Sequence, residues 1–79
     1  MSKAGDALKQ VLETYDISRY KLAQVMGISR SNLHRWVYGV ADPAGDSILE
    51  IRDALRTLNP EAAEEFKRLY WDEAIEDEE

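Results

Sequence analysis

Two stretches that each read as a short helix meet across Met26-Gly27-Ile28-Ser29, leaving chain for nothing but a tight turn between them. Ser18 offers a side-chain oxygen to the first free backbone N–H groups of one helix. Leu22, Ala23, Val25 and Met26 give that helix its apolar face, and Gly27 suits the left-handed residue that closes a helix. Ser29 then repeats the capping signal, Leu33, Trp36 and Val37 supply the next apolar set, and Gly39 stops it. A glycine-containing turn of this length sets the second helix at a steep angle to the first. The small Ala23 lets the two helices approach, and Leu22, Ile28 and Leu33 fill the wedge between them. The spacing of Trp36 from Leu33 points it into the core.

The remaining chain supplies helices for this pair to pack on. Leu8, Val11, Leu12 and Tyr15 fall on one helix face within residues 5–15. Asp42-Pro43 and Gly45 mark a loop. Beyond it Asp46 is placed to cap a fourth helix carrying Ile48, Ile51, Leu55 and Leu58 on a single seam. Asn59-Pro60 reads as N-cap and first residue of a fifth helix, with Glu61, Glu64 and Glu65 near its positive end and Ala62, Phe66, Leu69 and Tyr70 on its apolar side. The carboxylate-rich end is expected to fray. This predicts one domain over residues 1–71, with its central motif at about 18–38, followed by an acidic tail at 72–79. No strand pattern and no repeat is present.

Composition removes several function classes. With no cysteine and one histidine, the chain offers no disulfide, no thiolate and no zinc site, and no cofactor is expected. Its carboxylates sit on helix faces that read as exposed, without a nucleophile and base beside them and without a glycine-rich phosphate loop, so it is not read as an enzyme. No apolar run approaches the roughly 18 residues of a membrane span, and the N-terminus lacks a signal-peptide pattern. A cytoplasmic protein with no membrane partner is expected. The net charge of −6 is unevenly spread. Residues 1–40 carry six Lys and Arg against three Asp and Glu, whereas residues 41–79 carry four against thirteen. One face can therefore be positive on an acidic molecule.

Ser18-Arg19, Leu22-Ala23, Gly27-Ile28-Ser29, Leu33, Trp36, Gly39 and Pro43 stand in a pattern that resembles the Cro and lambda-repressor-like (XRE-type) helix-turn-helix family, over roughly residues 5–58. The resemblance implies an all-α, five-helix domain whose second and third helices form the motif. It also implies sequence-specific binding of double-stranded DNA by a bacterial or phage transcriptional regulator, nucleoid-associated when bound. Carried over position by position, Arg30, Ser31, Asn32 and His34 on the third helix would meet base edges in the major groove, and Arg35 would reach bases or phosphates. Arg30 is the best single candidate for specificity, because a guanidinium bonds guanine O6 and N7 together. Arg19, Lys21, Ser29 and Tyr38 would contact phosphates, Tyr38 alternatively only shielding its loop. Lys3 would act from an N-terminal arm. The chain departs from the pattern twice. Arg19 stands where the family commonly has a Gln that binds a phosphate and braces the third helix, and Val37-Tyr38 stands where Glu is frequent.

Phe66, Tyr70, Trp71 and Ile75 are candidate dimer contacts, since Trp71 widens the apolar face of the fifth helix beyond what one small core needs. Trp71 folding back as a lid is the competing reading. A homodimer would suit recognition of a palindromic site. The alternative function is a protein-protein interaction module, such as an antitoxin or accessory protein, whose working surface is the acidic C-terminal helices.

Overall fold

A computed structural model describes residues 3–78, with side chains described as far as Trp71. Among the described residues there are five helices and no strand: α1 (Lys3–Thr14), α2 (Arg19–Met26), α3 (Arg30–Val37), α4 (Gly45–Leu58) and α5 (Pro60–Glu78). α5 lies against α4 and α1, while α2 packs on α3 and α4, and α3 reaches α1. The two short helices are thus held against the other three, α2 on α4 and α3 on α1. None of the described helices is long and apolar enough to cross a membrane.

The core gathers the anticipated stripes. Leu8, Val11 and Leu12 of α1, Leu22 and Ala23 of α2, Leu33 and Val37 of α3, Ile51 and Leu55 of α4, and Ala62, Phe66 and Leu69 of α5 are all buried in one cluster. Tyr15, Met26, Ile28, Trp36, Ile48, Leu58 and Tyr70 pack around it, partly exposed. Val25 departs from its expected place on the apolar face of α2, being exposed. Ala23 and Met26 already occupy the sides of this two-turn helix that meet its neighbours. No polar or charged side chain is buried among the described residues, so the interior depends on packing alone.

Three helix ends share one device. At the end of α2, Gly27 has φ +73°, its N–H donates to the Gln24 carbonyl, and the Ile28 N–H donates to the Ala23 carbonyl. Gly39, at φ +75°, closes α3 in the same way through the Trp36 and Arg35 carbonyls. These are Schellman closures, which satisfy the last carbonyls at a left-handed residue. α1 ends identically, but on Asp16 at φ +53°, with Ile17 donating to Leu12. That end carries no glycine and is not legible in the sequence. A Cβ at Gly27 would meet nothing within 4 Å. Gly27→Ala is therefore expected to cost only the left-handed backbone strain, about 1 kcal/mol, measurable as a small fall in denaturation midpoint with the fold retained.

The caps follow expectation except at α4. Ser18 Oγ accepts from the Lys21 N–H and Ser29 Oγ from the Asn32 N–H. Asn59 Oδ1 accepts from the Glu61 N–H. The expected cap at Asp46 is not formed: α4 begins two residues earlier than such a cap implies, Ala44 is its N-cap without a side-chain bond, and Asp46 lies in the first turn. There its charge still favours the helix's positive end. α5 continues through the acidic run to Glu78. Lys3 is the first residue of α1 and not part of an extended arm.

Candidate nucleic-acid interface

α3 has eight residues and buries only Leu33 and Val37, with Trp36 half-buried beside them. At 3.6 residues per turn, this leaves Ser31 and Arg35 opposite the buried stripe, Arg30 and His34 on one flank and Asn32 on the other. All five are exposed. The helix therefore offers a polar outward surface because its few apolar side chains are all spent on attachment.

The flank carrying Arg30 and His34 opens into a cleft shared by α1, α2 and α3, lined among others by Lys9, Arg19, Tyr20 and Tyr38. Arg19 Nη1 donates to the Tyr38 hydroxyl at 2.6 Å. The His34 and Tyr38 rings lie 4.3 Å apart, tilted by 37°. The Arg30 guanidinium carbon stands 5.6 Å from the Tyr20 ring centroid, within the range of a cation–π contact. Bracing of the third helix is thus divided between two positions of α2. Arg19 holds Tyr38, and Tyr20 restrains Arg30 at the front of the helix.

The sequence-predicted residues fall into two groups. Arg19, Arg30, His34 and Tyr38 meet in the cleft, whereas Lys21, Ser31, Asn32 and Arg35 stand exposed outside its lining. Ser29, expected at a phosphate, spends an oxygen lone pair on the α3 cap but keeps its own O–H to donate. Lys9 and Tyr20 are cleft residues that sequence reasoning does not find. Both read as ordinary surface positions of their own helices, and nothing local to residue 9 announces that residue 38 lies beside it.

Arg52 pairs with Asp53 within α4, and Arg68 pairs with Glu65 within α5. The bidentate Arg68 hydrogen bond holds the Glu65 carboxyl below its ordinary range. Lys9, Arg19, Lys21, Arg30 and Arg35 have no such carboxylate partner among the described residues. Their charges remain available to an external anion.

The proposed dimer residues separate too. Phe66 is 1% exposed and belongs to the domain's own core. Tyr70 is half-buried, with its ring 6.4 Å from that of Phe66. Trp71 is 62% exposed and so does not act as a closed lid. Ile75 lies outside the residues whose side chains are described.

Two capped helices joined by a Schellman turn, the second showing unpaired cations and an amide on a helical support, define a helix-turn-helix DNA-binding protein. A family model for the Cro/C1-type HTH DNA-binding domain matches residues 7–59, well over half of the chain. The chain belongs to that family. No curated protein and no solved structure matches it significantly.

Proposed function

We propose that this domain is a transcriptional regulator that reads a specific DNA site by laying α3 in the major groove. The supporting observation is the set of cations at α2 and α3: among the described residues Arg19, Lys21, Arg30 and Arg35 form no ion pair with a carboxylate, whereas Arg52 and Arg68 of the acidic half are paired with Asp53 and Glu65. Arg30, Ser31, Asn32 and His34 are assigned to base edges. Arg19, Lys21, Ser29, Arg35 and Tyr38 are assigned to phosphates, with Arg35 equally placed for a base because it shares the outward crest with Ser31. The exposed pair Leu49 and Trp71, with Tyr70 between α4 and α5, favours a homodimer through that edge. The same edge serves the second reading, in which a protein partner docks there. Residues 72–79 act as an acidic appendage to the domain.

The test is fluorescence anisotropy on a randomised duplex pool, followed by selection of the preferred sequence. Binding is expected to fall steeply with salt. Arg30→Ala is expected to weaken the preferred duplex by about tenfold to a hundredfold and to relax discrimination at one base pair. Equal binding of Arg30→Ala and the unaltered protein to the selected site would remove Arg30 as the reader. Partner capture that survives high salt and depends on Trp71 would favour the second reading.

A further inference from the structure

The ring of Tyr38 is where three helices bring their basic side chains. Lys9 of α1 places its Nζ 5.8 Å from the ring centroid. Arg19 of α2 places its guanidinium carbon 5.3 Å from it while donating to the phenolic oxygen. His34 of α3 lays its imidazole against the same ring. None of the four belongs to the core; all are exposed. Core packing therefore does not explain their meeting.

Holding two permanent cations against one ring is only partly offset by the ring's negative face, and an anion seated between them turns their repulsion into attraction. Glu13 and Asp16 line the same cleft, yet neither forms an ion pair with Lys9 or Arg19. Tyr38 adds direction. Its oxygen accepts from Arg19, which leaves its own O–H to donate, and a phosphodiester oxygen is an acceptor only.

We infer that Lys9, Arg19 and Tyr38 together form a receptor for one backbone phosphate of duplex DNA, on the α1 flank of α3. The DNA footprint then extends beyond the helix-turn-helix onto the first helix. Tyr38 both donates to the phosphate and positions Arg19 for it, and the contact carries no sequence information. This inference rests on the DNA-binding reading above. Glu13 and Asp16 set its limit, since each repels the phosphate that the cations attract.

Anisotropy titrations over a series of salt concentrations, on the selected duplex and on a scrambled one, provide the test. Lys9→Ala is expected to weaken both duplexes alike, by about threefold to tenfold, and to lower the slope of log Kd against log salt by about one. Tyr38→Phe, which keeps the charge count, should weaken binding severalfold with little change in slope. Glu13→Gln should tighten binding, a gain that a folding defect cannot produce. Wild-type affinity and slope in Lys9→Ala, with binding lost in Arg30→Ala, would overturn the phosphate receptor and leave the reading by α3 intact. Failure of the unaltered protein to bind any duplex at low salt would overturn both.

Discussion

Phe66→Ala is expected to leave much of the population unfolded at physiological temperature. Phe66 is the largest fully buried side chain, and α5 carries it into the cluster formed with α1 and α4. Truncating such a residue removes its transfer free energy and opens a cavity, together worth about 3–5 kcal/mol. A domain of this size has a total stability on the order of 4–12 kcal/mol. A fall in melting temperature of roughly 15–30 °C follows, read by circular dichroism. Trp71→Ala supplies the contrast five residues along the same helix: as a largely exposed side chain it should change monomer stability by less than about 0.5 kcal/mol. A larger loss at concentrations where the protein self-associates, vanishing on dilution to the monomer's range, would indicate that Trp71 is covered by a second copy. If Phe66→Ala melted within a few degrees of the unaltered protein, the packing described for α5 would be wrong.

Leu33→Ala should damage stability and DNA binding together. An isolated helix of eight residues is unstable in water, so α3 exists because it is attached. Leu33, fully buried, and Val37 provide that attachment, helped by the edge of Trp36. Replacing Leu33 is expected to cost about 2–5 kcal/mol in a denaturant titration. The loss of DNA affinity should exceed tenfold even after correction for the folded fraction, because small displacements of a positioned group are costly at an interface. Arg30→Ala, by contrast, removes an exposed group and should leave the denaturation midpoint unchanged while weakening binding. A Leu33→Ala protein with an unaltered midpoint would show that α3 is anchored elsewhere.

The difference between these two residues of α3 is legible in the sequence, because the apolar spacing that attaches a helix and the polar positions it leaves over are both written locally. The same holds for the caps at Ser18, Ser29 and Asn59 and for the left-handed glycines 27 and 39. Where local signals run out, sequence and fold part. Asp46 has the chemistry of a cap but α4 starts before it, and Asp16 closes α1 in a conformation usually left to glycine. Phe66 fits by sequence both the apolar face of its helix and an intermolecular contact, and the fold buries it in the domain's own core. Periodicity finds the buried side of a helix but does not say which of its residues lie deepest, as that depends on where α1 and α4 cross it.

What the sequence determined alone is the element order, the motif, its family and the segregation of basic from acidic residues, all of which depend on neighbours a few positions apart. Tertiary structure decided which basic residues stand together. Lys9, Arg19 and Tyr38 come from three separate stretches of chain, and their proximity exists only because α1 and α3 are brought side by side as the core closes. Capping and helix periodicity act over one or two turns, so they fix what each helix is. Burial of the shared apolar cluster acts on the whole chain at once, and it alone sets which exposed faces become one surface.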